Sequence, residues 1–176
     1  MSELERRAAA AEIRAAGRKL EGYAATYGSE ARIGSYVETI AAGTFRATLA
    51  DRIDKLALVD HDPGRLLART KSGTLRLAED SRGLAFDLDV PDTQLGRDVL
   101  ELGRRGDLGG MSFAFRVRPD GERWTGNRRE LRSVDLAEIS IVQSWPAYAG
   151  TSIDVRSRPT EAPDAGLRRA LLRWRA

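Results

Sequence analysis

The chain contains no cysteine and a single histidine among its 176 residues. The first absence removes disulfides, iron–sulfur clusters, thiolate zinc sites and any cysteine nucleophile. The second leaves His61 alone and excludes every multi-histidine metal centre. No apolar run approaches the ~18 residues that a membrane-spanning helix needs. The opening Met1-Ser2-Glu3-Leu4-Glu5-Arg6-Arg7 mixes acids with bases and lacks the apolar stretch of a signal peptide. These absences describe a soluble protein, most simply cytoplasmic, with no cofactor and no metal. Aromatic residues make up only 6%, which argues against base stacking on nucleic acid.

The hydrophobic class, at 41%, is enough for an ordinary globular core, and the length suits one domain. The net charge of +3 is unevenly placed. Residues 156–176 carry six Arg against Glu161 and Asp164, so the preceding 155 residues hold 23 basic against 24 acidic groups. The basic character belongs to the tail, and binding of nucleic acid by the whole domain loses its main support.

Residues 1–17 are rich in strong helix formers and end in Gly17, which predicts an N-terminal helical extension. A single domain follows over 18–155, and a Pro-containing basic tail over 156–176 contains a short amphipathic segment. Within the domain, strands are expected around Leu20–Ala25, Val37–Ile40, Leu56–Val59 and Leu84–Val90. Further strands are expected over Ser112–Val117 and Leu136–Val142. Thr44 is expected to cap a short helix ending at Ala50. Lys71-Ser72-Gly73 reads as the turn of a hairpin, and Asp120-Gly121 as another. Leu95, Val99 and Leu102 recur at helical spacing between Asp92 and Arg105. Many short strands with few helices imply a β-rich α+β domain compatible with a barrel.

Three features could carry chemistry. A serine nucleophile needs a base, and His is the side chain suited to that task near neutrality. His61, at the polar end of the apolar run Leu56–Val59, is the one candidate; its alternative is an ordinary surface histidine. Ser112 follows Gly109-Gly110-Met111 and points away from the Phe113 and Phe115 side of its strand. It is either a nucleophile or a residue satisfying a turn. Glu138 points opposite Ile139 and Ile141, towards solvent or into a site.

Together, Leu58-Val59-Asp60-His61-Asp62, Gly110-Met111-Ser112-Phe113-Ala114-Phe115 and Leu136-Ala137-Glu138-Ile139-Ser140-Ile141-Val142 resemble the tailed-phage prohead maturation proteases. Trp145-Pro146-Ala147-Tyr148, Gly22-Tyr23-Ala24 and Gly43-Thr44-Phe45 add to the resemblance, which covers about Leu20 to Val155. That family is similar in fold to the herpesvirus assemblins. The resemblance implies a mostly antiparallel, assemblin-like barrel flanked by a few helices. It also implies a serine endopeptidase with His61 as base, Ser112 as nucleophile and a third orienting group. Assemblins use a second histidine there; this chain has none, and Glu138 takes the place, with Asp135 as runner-up. Asp60 and Asp62 are too near His61 in sequence to orient it easily.

The resemblance further implies the substrates: the major capsid protein with its scaffolding segment, and the protease's own termini, inside the immature capsid in the host cell. Self-association or packing within the prohead would follow, with the Arg-rich tail aiding packaging. Amides near Pro146-Ala147-Tyr148 are candidate oxyanion donors by resemblance alone. The competing reading is a non-catalytic capsid-assembly module of the same fold, in which His61, Ser112 and Glu138 would not converge.

Overall fold

A computed structural model describes residues 2–143, with the exception of residues 10 and 12. The chain enters through β1 (Glu5–Ala9), β2 (Ile13–Ala16), β3 (Lys19–Thr26), β4 (Ala31–Ile33) and β5 (Tyr36–Ile40). A short helix, α1 (Arg46–Ala50), leads to β6 (Leu56–Val59), β7 (Asp62–Arg69), β8 (Leu75–Glu79) and β9 (Gly83–Asp89). After α2 (Gln94–Arg105) come β10 (Gly110–Val117), β11 (Glu122–Thr125), β12 (Arg128–Leu131) and β13 (Val134–Val142).

The strands form three open sheets, ordered β1-β10-β13-β6-β7, β2-β3-β9-β8 and β11-β12-β5-β4. The pairings are antiparallel except β13 with β6 and β12 with β5. The β-rich α+β class therefore stands, but among the described residues no sheet closes into the expected barrel. Closure would need each sheet's edge strands to pair with one another. Here β1 and β7, β2 and β8, and β11 and β4 end their respective sheets without pairing to each other.

The core lies where the sheets meet. Leu20, Phe45, Phe86, Leu88, Phe115, Ile139 and Ile141 are fully buried. Phe113 stacks on Phe115 with ring centres 5.2 Å apart, and Phe45 meets Phe113 edge-on at 5.6 Å. These aromatic contacts fix the inner face of β10, leaving its other face for polar groups.

The α2 helix forms as its pattern predicts. Thr93 accepts a hydrogen bond from the Gly96 amide, and Gly106 closes the helix in the left-handed region at φ 74°. Gly96 is required by space: a Cβ there would lie 2.1 Å from the Pro91 carbonyl oxygen.

Elsewhere local propensity is overruled. The helix expected over residues 1–17 is replaced by β1 and β2, which pair antiparallel with β10 and β3. Alanine's helical preference is worth a fraction of a kcal/mol per residue, and ladder bonds to two waiting sheet edges outweigh it. Thr44 does not cap α1, whose N-cap position is held by Phe45 without a side-chain bond. The Thr44 hydroxyl instead faces the Ala41 and Leu131 carbonyls. Thr48 in α1 accepts a bond from the Leu136 amide and so ties this helix to β13. The turn at Lys71–Gly73 exists, yet β7 and β8 join different sheets instead of forming a hairpin. Asp120-Gly121 turns the chain into the β11–β12 excursion, while β10 takes β13 as partner. Residues 144–176, including Trp145–Tyr148 and the basic tail, lie outside the described residues.

Candidate active site

The site rests on the pleat of β10 and β13. Ser112 pairs with Ser140 and Ala114 with Glu138, so all four side chains share one face. The opposite face carries Phe113, Ile139 and Ile141, whose burial in the core holds the polar face in place. A register shift follows Ala114, so beyond Glu138 the pairing resumes one step out of phase.

His61 reaches this face through the turn between β6 and β7. Asp60 and His61 form a two-residue connection with φ 52° and 60°, both left-handed. Turns with that geometry match the twist of paired strands but usually employ Asn and Gly. Four hydrogen bonds secure the strained backbone. The Asp60 amide donates to the Ile141 carbonyl at 2.9 Å, and the Asp60 carboxylate accepts from the Gln143 amide and from Arg65 at 2.9 and 2.7 Å. The His61 amide donates to Ser140 Oγ at 3.0 Å. The turn is thus fastened to the end of β13, beside Ser140.

The imidazole spans two partners. Its Nε2 lies 2.7 Å from Ser112 Oγ and its Nδ1 2.5 Å from Glu138 Oε1. The second Glu138 oxygen accepts a bond from Ser140 Oγ at 2.7 Å. Ser112, Ser140 and Glu138 are buried, and His61 is partly exposed. A hydroxyl, an imidazole and a carboxylate in this order can pass a proton from the hydroxyl to the ring while the carboxylate holds the ring's far nitrogen.

The structure brings together His61, Ser112 and Glu138 and sets the other acids apart. Asp135 is exposed and ion-paired with Arg118 at 2.5 Å. Asp60 serves the turn, and Asp62 accepts from the Gly64 amide. Ser140 escapes the sequence reading, although its position two residues after Glu138 on an apolar strand signals a shared face. The proposed oxyanion region around Pro146–Tyr148 lies outside the described residues. Among the described residues no cluster of His, Cys, Asp and Glu could hold a metal ion, and no helix is long and apolar enough to cross a membrane.

A second charged group borders the site. Glu38 on β5, 2% exposed, accepts Arg7 Nε at 2.6 Å and Nη2 at 2.8 Å, and Arg129 Nη1 at 3.0 Å. Arg129 also donates to both oxygens of Glu5, at 2.6 and 2.8 Å, and to Glu122 at 2.6 Å. Burial opposes the charge on Glu5, but hydrogen bonds and charge from Arg129 and then Arg7 hold its carboxyl below the usual range. The same β1 segment places the Arg7 carbonyl oxygen 2.8 Å from Ser112 Oγ.

A comparison with curated proteins and with solved structures finds no significant match. A family model described as caudovirus prohead serine protease matches residues 2–165. It takes in β1 and β2 together with every residue of the hydroxyl–imidazole–carboxylate line, so the chain belongs to the caudovirus prohead serine proteases.

Proposed function

We propose that His61, Ser112 and Glu138 are the catalytic triad of a serine endopeptidase that matures capsids. The reading is carried by one observation: His61 bridges Ser112 and Glu138 at 2.7 and 2.5 Å. Neutral His61, with its Nδ1 proton directed to Glu138, accepts the Ser112 proton at Nε2. Ser112 Oγ then bonds to a substrate carbonyl carbon and forms a tetrahedral oxyanion. The imidazolium returns the proton to the leaving amine as the peptide bond breaks, leaving an acyl-enzyme. Water, deprotonated by the same ring, hydrolyses the ester and restores Ser112. Glu138 stabilises the ring's charged form and fixes its tautomer, and Ser140 holds Glu138 from behind.

The substrates are the major capsid protein with its scaffolding segment and the enzyme's own termini, cut within the immature capsid in the host cell. Family membership supports this setting in general terms. A non-catalytic module of the same fold would have no reason to align a histidine and a glutamate from distant parts of the chain on a buried serine. The deciding experiment is mass spectrometry of the capsid protein co-expressed with wild-type and Ser112→Ala chains. Processing by the wild type alone is expected; equal processing by both would remove Ser112 from its role.

A further inference from the structure

The peptide nearest Ser112 is the chain's own first strand. β1 runs antiparallel along the outer edge of β10, with Arg7 opposite Phe113 and Ala8 opposite Ser112. Strand addition is a general way to hold an extended peptide: the ladder supplies affinity, and alternate side chains supply selectivity. Glu5 and Arg7, two residues apart, project to one side, and each meets a partner of opposite charge.

The Arg7 contacts have the form of an arginine pocket. Glu38 receives the guanidinium side-on through two nitrogens, Tyr36 Oη accepts from Nη2 at 3.3 Å, and the Phe115 ring lies 5.5 Å from the guanidinium carbon. A planar donor fork against a carboxylate and an aromatic ring suits arginine better than lysine and rejects neutral side chains. Arg129 meets Glu5 in the same two-bond fashion. The reaction described above uses neither Glu38 nor Arg129.

Proton bookkeeping explains how a carbonyl rests on the nucleophile. Ser112 has one hydroxyl hydrogen, and both His61 Nε2 and the Arg7 oxygen lie within its reach. When His61 is protonated, Nε2 donates to Ser112 and the hydroxyl is free to donate to Arg7. When His61 is neutral, the hydroxyl turns to Nε2 and its oxygen lone pair is free for attack. The bond that latches β1 therefore belongs to the form of the site in which the serine cannot attack.

We propose that β1 occupies the peptide-binding cleft in cis, its Arg7 carbonyl standing where a substrate's scissile carbonyl would stand. Glu38 then selects a basic residue immediately before the cut, and Arg129 an acidic residue two positions earlier. This assignment rests on the triad reading and adds the specificity of the same site.

The test uses full-length Ser112→Ala chain, which cannot cut, and a fluorescent peptide spanning residues 3–11. Its Arg7→Gln and Glu5→Gln analogues are each expected to bind about tenfold more weakly, the usual cost of a lost charge-assisted bond. Adding Arg7→Gln to the Ser112→Ala chain weakens the internal competitor and is expected to tighten binding of the unaltered peptide several-fold. Equal binding of the three peptides, or no binding, overturns the pocket assignment. Unchanged affinity in the doubly substituted chain overturns the occupancy. Labelling of Ser112 by a fluorophosphonate in the Arg7→Gln chain, whose internal competitor is weakened, separates the failures: a labelled Ser112 with indifferent peptide binding leaves the triad and removes the cleft, whereas an unlabelled Ser112 removes both.

Discussion

His61 Nε2 lies 2.7 Å from Ser112 Oγ across 51 residues of chain because the turn carrying the imidazole is bonded to β13, the strand paired with that of the serine. Ser112 and Glu138 sit on strands whose other face is buried in the core, and the turn of His61 is fastened to one of them. The geometry is therefore as rigid as the packing of Phe113, Ile139 and Ile141 beneath it.

Replacing Ser112 with Ala removes the proposed nucleophile while adding no bulk to a buried position. Peptide hydrolysis is expected to fall by about 10⁶-fold, the loss seen when a triad nucleophile is deleted in subtilisin. Thermal melting is expected to stay close to that of the wild type. A fluorogenic peptide assay beside a circular-dichroism melt checks both outcomes.

Glu138→Gln keeps a hydrogen-bond acceptor for His61 Nδ1 but discards the charge that stabilises the imidazolium. A kcat loss of about 10⁴-fold is expected, as for the equivalent acid-to-amide change in trypsin. His61→Ala removes the proposed base itself and should cost about 10⁶-fold, as deletion of the subtilisin base does. Equal losses, measured as kcat on one peptide, would contradict this division of labour. In the wild type the rate should rise with pH along the acid limb, because only an unprotonated ring accepts the serine proton.

Ser140→Ala strips a donor from Glu138 and an acceptor from the His61 amide, both in a buried setting. A stability loss of about 1–3 kcal/mol is expected from the groups left unpaired. Because Ser140 acts only through Glu138 and the turn, kcat should fall while KM stays near the wild-type value. Urea titration and steady-state kinetics measure the two effects separately.

Asp89 and Asp54 sit below the ordinary carboxylate range, chiefly through hydrogen bonds from Arg76 and Arg69 respectively. Each binds its proton less readily folded than unfolded. Their stabilising contribution is thus complete above the unfolded carboxylate range and is lost as pH falls through the depressed folded value. The melting temperature should decline on acidification through that window. The Asp89→Asn/Asp54→Asn double variant should decline less steeply, with melting curves recorded across the acid range as the check.

Much of the site was legible one residue at a time. Alternation over Ser112–Val117 and Leu136–Val142 placed Ser112 and Glu138 opposite their apolar neighbours, and the apolar run before His61 marked it as the end of a strand. Ser140 and Glu38 were not legible, since their roles depend on the His61 amide and the Arg7 guanidinium, 79 and 31 residues away. The first seventeen residues were misread because their composition favours a helix in isolation. Arg7 finds Glu38 and the β10 edge only once the rest of the fold exists.

By itself the amino-acid order determined the period of β10, β13 and α2, the inward and outward faces of the two strands, and the cap and stop of the helix. These are local matters, settled by side-chain size, polarity and backbone freedom within a few residues. Tertiary structure alone decided that the sheets of the described residues stay open, that β7 and β8 part company, and that the Arg7 carbonyl comes to rest on Ser112. Those outcomes depend on which edges and charges remain unsatisfied after the core has packed, a property of the assembled chain.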